Sequence, residues 1–236
     1  MIKIFLGNLG SGKSLCAVRD IVNDDSGRVT FTNIMMKPAK NIMQIKPENV
    51  ITRNEDKLEL NTEYWSKQKK PLNIVWDEIH LTANARSSMS KVNMVFSKFL
   101  AMARRITGFD DRGYGHFIFI AQTERTIDIN IKELASEIRY FKSHWFIVCE
   151  ECESKVHATS EMEQIERCIV CGSWKIKREG LNIEVRHFAN WFDYLYFIDR
   201  RKGKFHTRHY MVNDAENYFK YYDTLQMEDI WQKYLA

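Results

Sequence analysis

The chain has 236 residues, of which 44% are hydrophobic and 28% charged, an ordinary composition for a soluble globular protein. This length suits one large α/β domain, alone or with a small insert. The formal net charge of +4 is too small to indicate a nucleic-acid partner by itself. We expect no membrane insertion, because no run of about 18 apolar residues occurs. The first apolar run begins at Ile2 and leaves no room for a signal peptide, which favours a cytoplasmic protein with reduced cysteines.

A phosphate-binding loop follows the first predicted strand. The apolar run Ile2–Leu6 leads directly into GNLGSGKS, a full match to G-x-x-x-x-G-K-[ST], and apolar residues at helical spacing follow. In this motif the backbone N–H groups hold phosphates, Lys13 reaches the β- and γ-phosphates, and the Ser14 hydroxyl ligates Mg²⁺. The predicted nucleotide-binding residues are Gly7, Asn8, Leu9, Gly10, Ser11, Gly12, Lys13, Ser14 and Leu15.

Two acidic residues end a second buried strand. The apolar run Leu72–Trp76 is followed directly by Asp77 and Glu78. An aspartate at the end of such a strand can hold Mg²⁺, directly or through water, and a neighbouring glutamate can polarise the attacking water. The pair therefore predicts a Walker B motif, with Asp77 as a metal residue and Glu78 as a catalytic residue.

A third strand is predicted at His116–Thr123. Its Gln122 either senses the γ-phosphate and orients the water or merely ends the strand. We expect this strand to lie beside the two others in a parallel sheet, with all three carboxyl ends at one edge. Arg28–Met36 predicts a further strand, and Asn49–Arg53 is a weaker candidate.

A long amphipathic helix is predicted after the acidic pair. An apolar stripe with i, i+3/i+4 spacing runs from Met89 to Ile106. Arg104 and Arg105, in its last turn, either complement the helix dipole or supply an arginine finger to the nucleotide of a neighbouring subunit. Arg86, in the loop before the helix, is a second candidate for that role.

Four of the five cysteines follow the pattern C-x₂-C-x₁₅-C-x₂-C, which predicts a tetrahedral Zn²⁺ site. The predicted ligands are Cys149, Cys152, Cys168 and Cys171. Disulfides are the alternative, but they fit a cytosolic chain poorly. Four thiolates leave no open coordination position, so the metal should be structural. The resulting zinc ribbon either only staples a hairpin or contacts DNA or a partner.

The C-terminal part contains an aromatic segment, residues 190–212, that predicts a hairpin with RKGK at its turn. The basic residues at 200–208 either lie on a solvated hairpin or contact nucleic acid. Residues 215–235 predict a closing helical region. We therefore divide the chain into a P-loop core at 1–144, a zinc-ribbon insertion at 145–180, and a segment at 181–236 that completes or caps the core.

Several motifs in this order resemble the FtsK/HerA superfamily of ATP-driven DNA motors. They are the phosphate loop, a strand ending in WDE, a helix ending in ARRITG, and then GHFIFIAQTERTIDINIKEL. The stretches VTFTNI, DEIHLTANARSS and YFKYYDT are similar to zonular occludens toxin-like ATPases and to related ATPases of phages and archaeal viruses. The resemblance covers residues 1–140 well and 205–225 loosely.

This resemblance implies a RecA-like (ASCE) α/β fold, with a mainly parallel sheet flanked by helices. It also implies a homo-oligomeric ring, a pentamer or hexamer, in which ATP binds between subunits and is hydrolysed with an arginine supplied in trans. By carry-over, Gln122 becomes the γ-phosphate sensor and Arg105 or Arg104 the finger. The chain departs from the toxin-like export ATPases in lacking their membrane segment, and from cellular DNA pumps in lacking their large extra domains.

These implications lead to two expected functions. The first is translocation of double-stranded DNA during viral genome packaging, in the host cytoplasm and at the capsid vertex, with a capsid or portal component as a candidate partner. The second is phage morphogenesis or extrusion, with virion components as the load. A slow nucleotide-dependent switch and a small-molecule kinase are two further classes. The acidic pair Asp77-Glu78 argues against both, because it suits activation of water.

Overall fold

The computed structural model describes residues 1–37, 39–54, 57–77, 91–111, 113–124, 127, 129–161, 165–199, 208–213 and 215–222. The strands are β1 (Ile2–Leu6), β2 (Val29–Thr32), β3 (Ile42–Gln44), β4 (Ile51–Asn54), β5 (Lys57–Leu60), β6 (Leu72–Trp76), β7 (Phe109–Asp110), β8 (Gly113–Tyr114), β9 (Phe117–Ala121), β10 (Glu137–Cys149), β11 (Lys155–Thr159), β12 (Ile176–Phe188) and β13 (Arg208–Val212). The helices are α1 (Lys13–Val22), α2 (Pro47–Val50), α3 (Thr62–Ser66), α4 (Lys91–Ala101), α5 (Ala103–Thr107), α6 (Ile129–Leu134) and α7 (Trp191–Ile198), and a 3-10 helix spans Ala215–Tyr221.

One nine-stranded sheet organises the molecule, in the order β13-β12-β10-β1-β9-β6-β2-β3, with β11 paired to β10. The strands from β10 to β3 in this order are parallel to their neighbours, and β11, β12 and β13 are antiparallel to theirs. The expected α/β fold with a mainly parallel sheet is therefore confirmed. The predicted strands β1, β9 and β6 are adjacent, so their carboxyl ends share one edge.

The central strands are buried on both faces, which explains their continuous apolar sequences. Every residue of β6 and β9 is buried. One face of the sheet packs around Trp65 and Phe99, and the other packs α1 against Phe5 and Phe141. The sheet therefore lies between two apolar layers, which fix the position of its carboxyl edge.

Strands β10 and β12 extend well beyond this edge. Only Glu137–Tyr140 of β10 pairs with β1, and the rest of β10 continues between β11 and β12. We call the projecting part, residues 143–149, 155–159 and 176–183, the arm. At about 3.3 Å per residue it rises some 20 Å above the sheet edge. The predicted domain boundaries at 144/145 and 180/181 fall inside β10 and β12, so the cysteine-bearing segment continues two strands of the sheet.

The C-terminal aromatic segment differs from the prediction. The hairpin expected at 190–212 is wrong, because Trp191–Ile198 forms a helix and Arg208–Val212 pairs with β12 instead. The Asn190 side chain caps this helix by accepting a hydrogen bond from the Asp193 N–H at 3.0 Å. Trp191 and Tyr194, three residues apart, are both buried, so helical spacing rather than alternation governs the aromatic residues.

Two other elements refine the predicted boundaries. The helix predicted after the acidic pair divides at Met102 into α4 and α5, and α5 ends at Gly108 with φ of 68°. The weak strand candidate at Asn49–Arg53 corresponds to β4, which pairs with β5 in a separate two-stranded sheet.

The basic segment at 200–207 and most of the predicted closing helix lie outside the described residues. No helix in the described part of the chain is long and apolar enough to cross a bilayer.

Candidate functional site

The carboxyl edge of the sheet collects the polar residues of the candidate site. Gly7 follows β1, Asn33 follows β2, Asp77 follows β6 and Gln122 follows β9. Leu6 is paired with Ala121, so the half-buried Gln122 lies beside the first residue of the phosphate loop. The topology therefore brings together the predicted phosphate loop, metal aspartate and sensor glutamine.

The loop can adopt its conformation because glycine occupies its two tightest positions. Gly7 has φ of 149°, and a Cβ there would lie 2.5 Å from the Phe141 carbonyl oxygen. Gly12 caps α1 with φ of 90°, and a Cβ there would lie 2.3 Å from Cδ1 of Ile183. A side chain at either position would collide with β10 or β12. Gly7 and Gly12 thus allow the loop to pack closely against these strands, whereas a Cβ at Gly10 would meet nothing within 4 Å.

Lys13 holds its charge within the phosphate loop. Its Nζ donates to the carbonyl oxygens of Gly7, at 2.8 Å, and Asn8, at 2.9 Å, and the residue is only 7% exposed. Phosphate oxygens carry negative charge and accept stronger hydrogen bonds from an ammonium group than carbonyl oxygens do. The loop therefore places a buried cation where the motif requires it.

Ser14 and Asp77 form the central contact of the site. The Ser14 Oγ donates to Oδ2 of Asp77 at 2.5 Å, which joins the first turn of α1 to the end of β6. Asp77 is 7% exposed. A hydroxyl and a carboxylate are oxygen ligands of the type that Mg²⁺ prefers. The pair thus fits the predicted magnesium site, with Ser14 as a direct ligand and Asp77 acting directly or through water.

Asn33 clamps the backbone of Asp77. Its Nδ2 donates to the Asp77 carbonyl oxygen at 2.8 Å, and its Oδ1 accepts from the Asp77 N–H at 2.7 Å. Asn33 was not among the predicted site residues. It lies inside the strand predicted at Arg28–Met36, whereas the observed β2 ends at Thr32 and so leaves Asn33 at the carboxyl edge.

Ser143 of the arm braces the loop and was also missed. Its Oγ donates to the Gly10 carbonyl oxygen at 2.7 Å, and the residue is fully buried. Its N–H donates in turn to the Ser160 Oγ at 3.1 Å. No sequence pattern marks this residue, because its role depends on β10 passing the loop at this register.

Two predicted site residues, Glu78 and Arg86, lie outside the described residues. The Leu15 side chain packs in the apolar layer beneath the loop, so any contact of this residue with a nucleotide would come from its backbone.

Arg104 and Arg105 lie at the opposite edge of the sheet from the phosphate loop. Burial and the charge of Arg104 lower the pKa of the Met1 amino group, which precedes β1. The Arg105 carbonyl oxygen accepts from Lys70 Nζ, just before β6. The two exposed side chains are therefore separated from their own loop by about 17 Å, the length of one five-residue strand.

The four clustered cysteines meet at the tip of the arm. Their Sγ atoms all lie within 4.8 Å of one another, and the Cys149–Cys171 and Cys152–Cys168 pairs are each 3.6 Å apart. Four sulfurs bound tetrahedrally at 2.3 Å from one zinc ion are separated by about 3.8 Å. The spacing of the thiols therefore fits a zinc ion better than two disulfides, whose S–S bonds are about 2.05 Å long.

Hydrogen bonds around Cys168 also favour metal binding. Its Sγ accepts from the Val170 N–H at 3.4 Å and lies 3.2 Å from the Ser154 Oγ. The Ser154 hydroxyl, together with backbone N–H groups, lowers the pKa of the Cys168 thiol. Thiolate is the form that binds zinc, so these donors favour Cys168 as a ligand.

Replacing Asp77 tests the magnesium site. Asp77→Asn keeps an acceptor for the Ser14 hydroxyl but removes the negative charge. We expect nucleotide affinity in Mg²⁺ to fall by about 10- to 100-fold and affinity in EDTA to stay constant. Titration calorimetry measures both. Asp111→Asn, in the exposed turn between β7 and β8, is the matched control. Equal losses with and without Mg²⁺ would contradict the assignment.

Replacing one clustered cysteine tests the zinc centre. We expect one zinc ion per chain by elemental analysis, and loss of it in Cys152→Ser. Zinc binding contributes about 10 kcal/mol or more to the folding of zinc-finger peptides. The metal-free arm should therefore become sensitive to limited proteolysis. Cys16→Ala, which removes the buried thiol of α1, should retain the metal. Full zinc content in Cys152→Ser would exclude Cys152 as a ligand.

The chain matches one protein family, and its fold is similar to that of solved structures. The model of the zonular occludens toxin (Zot) family matches residues 1–182. No curated relative matches the chain. Among solved structures, the N-terminal domain of zonular occludens toxin from Neisseria meningitidis is similar, with a TM-score of 0.52 and 16% identity, covering 94% of this chain and 98% of that chain. A genome packaging NTPase from Sulfolobus turreted icosahedral virus 2, solved with ATP-gammaS, has a TM-score of 0.42 and 15% identity, covering 59% of this chain and 74% of that chain.

The likeness to the Neisseria meningitidis structure shows a similar fold only, whereas the family model identifies the family. Its match includes the phosphate loop, Asp77, Gln122 and all four clustered cysteines. Because it extends over residues 1–182 of 236, the chain belongs to the zonular occludens toxin family.

Proposed function

We propose that this protein is an ATPase that hydrolyses ATP at the carboxyl edge of its sheet and uses the energy as a ring motor. The observation that carries the proposal is the 2.5 Å hydrogen bond between Ser14 and Asp77. It joins the end of the phosphate loop to the end of β6, which is separated from β1 by β9, as a Walker A and Walker B pair requires for one shared magnesium ion.

Each residue then has a defined task. The loop N–H groups and Lys13 bind the phosphates and offset their negative charge. Ser14 and Asp77 would hold Mg²⁺, which would supply positive charge to offset that of the phosphates. Glu78 polarises the attacking water, a role that rests on its sequence position directly after Asp77. Gln122, beside Gly7, senses the γ-phosphate or orients the water.

A neighbouring subunit supplies the arginine in this proposal. Arg104 and Arg105 lie at the sheet edge opposite their own loop, so they can act only on the nucleotide of another copy. A head-to-tail contact repeated around a closed ring, a pentamer or hexamer, joins unlike faces of neighbouring copies. Arg86 is the second candidate for the trans residue.

Double-stranded DNA is the proposed load, moved during viral genome packaging with a capsid or portal component as partner. The ordered motifs that resemble DNA motors support this assignment. Phage morphogenesis or extrusion is the second candidate, with virion components as the load. It is favoured by the match to the zonular occludens toxin family, which continues through the arm to residue 182.

The ATPase rate with and without double-stranded DNA separates these two loads. We expect turnover that requires Mg²⁺ and rises when DNA is added.

Lys13→Ala should weaken nucleotide binding, because it removes the buried cation of the loop. Glu78→Gln should retain binding and slow hydrolysis by about 100-fold or more. Turnover without stimulation by any DNA would favour the second load, and normal turnover in Glu78→Gln would contradict its role.

Mixed rings test the trans arginine. We expect Arg105→Ala alone to be inactive and to regain activity when mixed with Glu78→Gln, since some interfaces then combine an intact glutamate with an intact arginine. Native mass measurement gives the subunit number of each mixture. Lys98→Ala, an exposed change on α4, is the matched control and should stay active. Absence of rescue at every mixing ratio would exclude Arg105 as the trans residue, and the same design applies to Arg104 and Arg86.

A further inference from the structure

A cavity of about 800 Å³ opens between the phosphate loop, the arm and the 3-10 helix. Its walls include Leu9 and Gly10 of the loop, Trp145 and Leu181 of the arm, and Phe219 of the 3-10 helix. We propose that this cavity binds the nucleoside part of the nucleotide, with the purine base stacked on Trp145. This inference rests on the proposed function, because it assigns the other half of the same ligand.

The direction of the bound nucleotide follows from the order of the strands. Asp77 ends β6, which lies on one side of β1, whereas β10 and β12 lie on the other. Ser14 and Asp77 are the residues that would hold a magnesium ion, which would offset charge at the γ end of a bound triphosphate, so that end would lie toward these two residues. The nucleoside must then leave the loop on the side away from Asp77. The arm rises on that side, and the cavity lies between the arm and the loop.

The chemistry of the walls suits a base. Trp145 belongs to the arm and Phe219, which is 46% exposed, belongs to the 3-10 helix, so two different walls present aromatic rings. The Arg178 guanidinium carbon lies over one face of the Trp145 ring, 5.0 Å from the ring centroid, so a base would stack on the other face. Aromatic side chains can stack on any nucleobase, because every base has a π-face. The volume lies in the usual range for ligand pockets, roughly 300–1,000 Å³.

The loop and the cavity share one support. Ser143, which donates to the Gly10 carbonyl oxygen at 2.7 Å, is two residues from Trp145 on the same face of β10. The strand that braces the phosphate loop therefore also carries the aromatic wall. Phosphates held by the loop would place the nucleoside at a fixed distance from Trp145.

Affinities for ATP and for inorganic tripolyphosphate, measured on the full chain with Mg²⁺, separate the nucleoside from the phosphates. We expect the wild type to bind ATP more tightly than tripolyphosphate. Trp145→Ala should raise the Kd for ATP by about 5- to 150-fold, the range for stacking of one base, and leave the Kd for tripolyphosphate unchanged. Trp145→Phe should largely restore ATP binding. Trp174→Ala, at a 60% exposed tryptophan near the cysteine cluster, is the matched control.

The outcomes distinguish this inference from the proposed function. If the wild type binds ATP no better than tripolyphosphate, or if Trp145→Ala leaves ATP affinity intact, the cavity does not bind the base, although the ATPase proposal stands. Equal losses of both ligands in Trp145→Ala would mean a distorted loop and would also overturn the inference. A wild type that binds neither ligand would overturn both proposals.

Photolabelling of the wild type needs no variant. 8-Azido-ATP carries its reactive group on the base, so it should label the tryptic peptides that contribute to the cavity walls, which are residues 4–13, 143–155, 156–167, 179–186 and 209–220. Excess ATP should prevent the labelling, and excess tripolyphosphate should prevent it too, because the phosphates share the loop. Labelling confined to other peptides would overturn the inference.

Discussion

The close approach of the phosphate loop to β10 and β12 is the constraint on which the rest of the site depends. The Phe141 carbonyl oxygen and the Ile183 side chain occupy the space that a Cβ would need at Gly7 and Gly12. Because Gly7 and Gly12 have no side chains, the backbone of the loop packs directly against these two strands, and their positions limit the conformation of the loop. The glycine pattern of the motif therefore encodes a contact between distant parts of the chain as well as a conformation that can hold phosphates.

A second contact fixes the other side of the loop. The hydrogen bond from Ser14 to Asp77 joins α1 to β6, and Asn33 holds the Asp77 backbone through two further hydrogen bonds. Three parallel strands thus determine the position of one hydroxyl and one carboxylate. Groups held in this way do not have to reorganise when charge develops during phosphoryl transfer, which is the usual origin of electrostatic catalysis.

Periodicity and motif spacing predicted the features of the fold that short stretches of sequence determine. The phosphate loop, the buried strands and their common edge follow from periodicity and motif spacing, and the cysteine spacing indicated the cluster. The contacts of Asn33 and Ser143 depend on which strands become neighbours, which one sequence does not state. The helix at Trp191–Ile198 was misread because its run of aromatic residues satisfies both the alternating and the helical period over a short span. Residues 145–180 were predicted to be an insertion because nothing in the sequence marks where β10 passes the carboxyl edge of the parallel strands.

This continuity changes what the cysteine cluster can do. A separate zinc ribbon would stabilise only itself, whereas here the cluster joins the ends of the two strands that pack against the loop. Interiors are close-packed, so a change of loop shape has to be accommodated by Phe141, Ser143 and Ile183. The antiparallel pairing of β10 and β12 runs from these residues to the cysteines, with one register shift between His144 and Phe146. The cysteine cluster and the phosphate loop therefore contact the same antiparallel pair of strands, at positions about 20 Å apart.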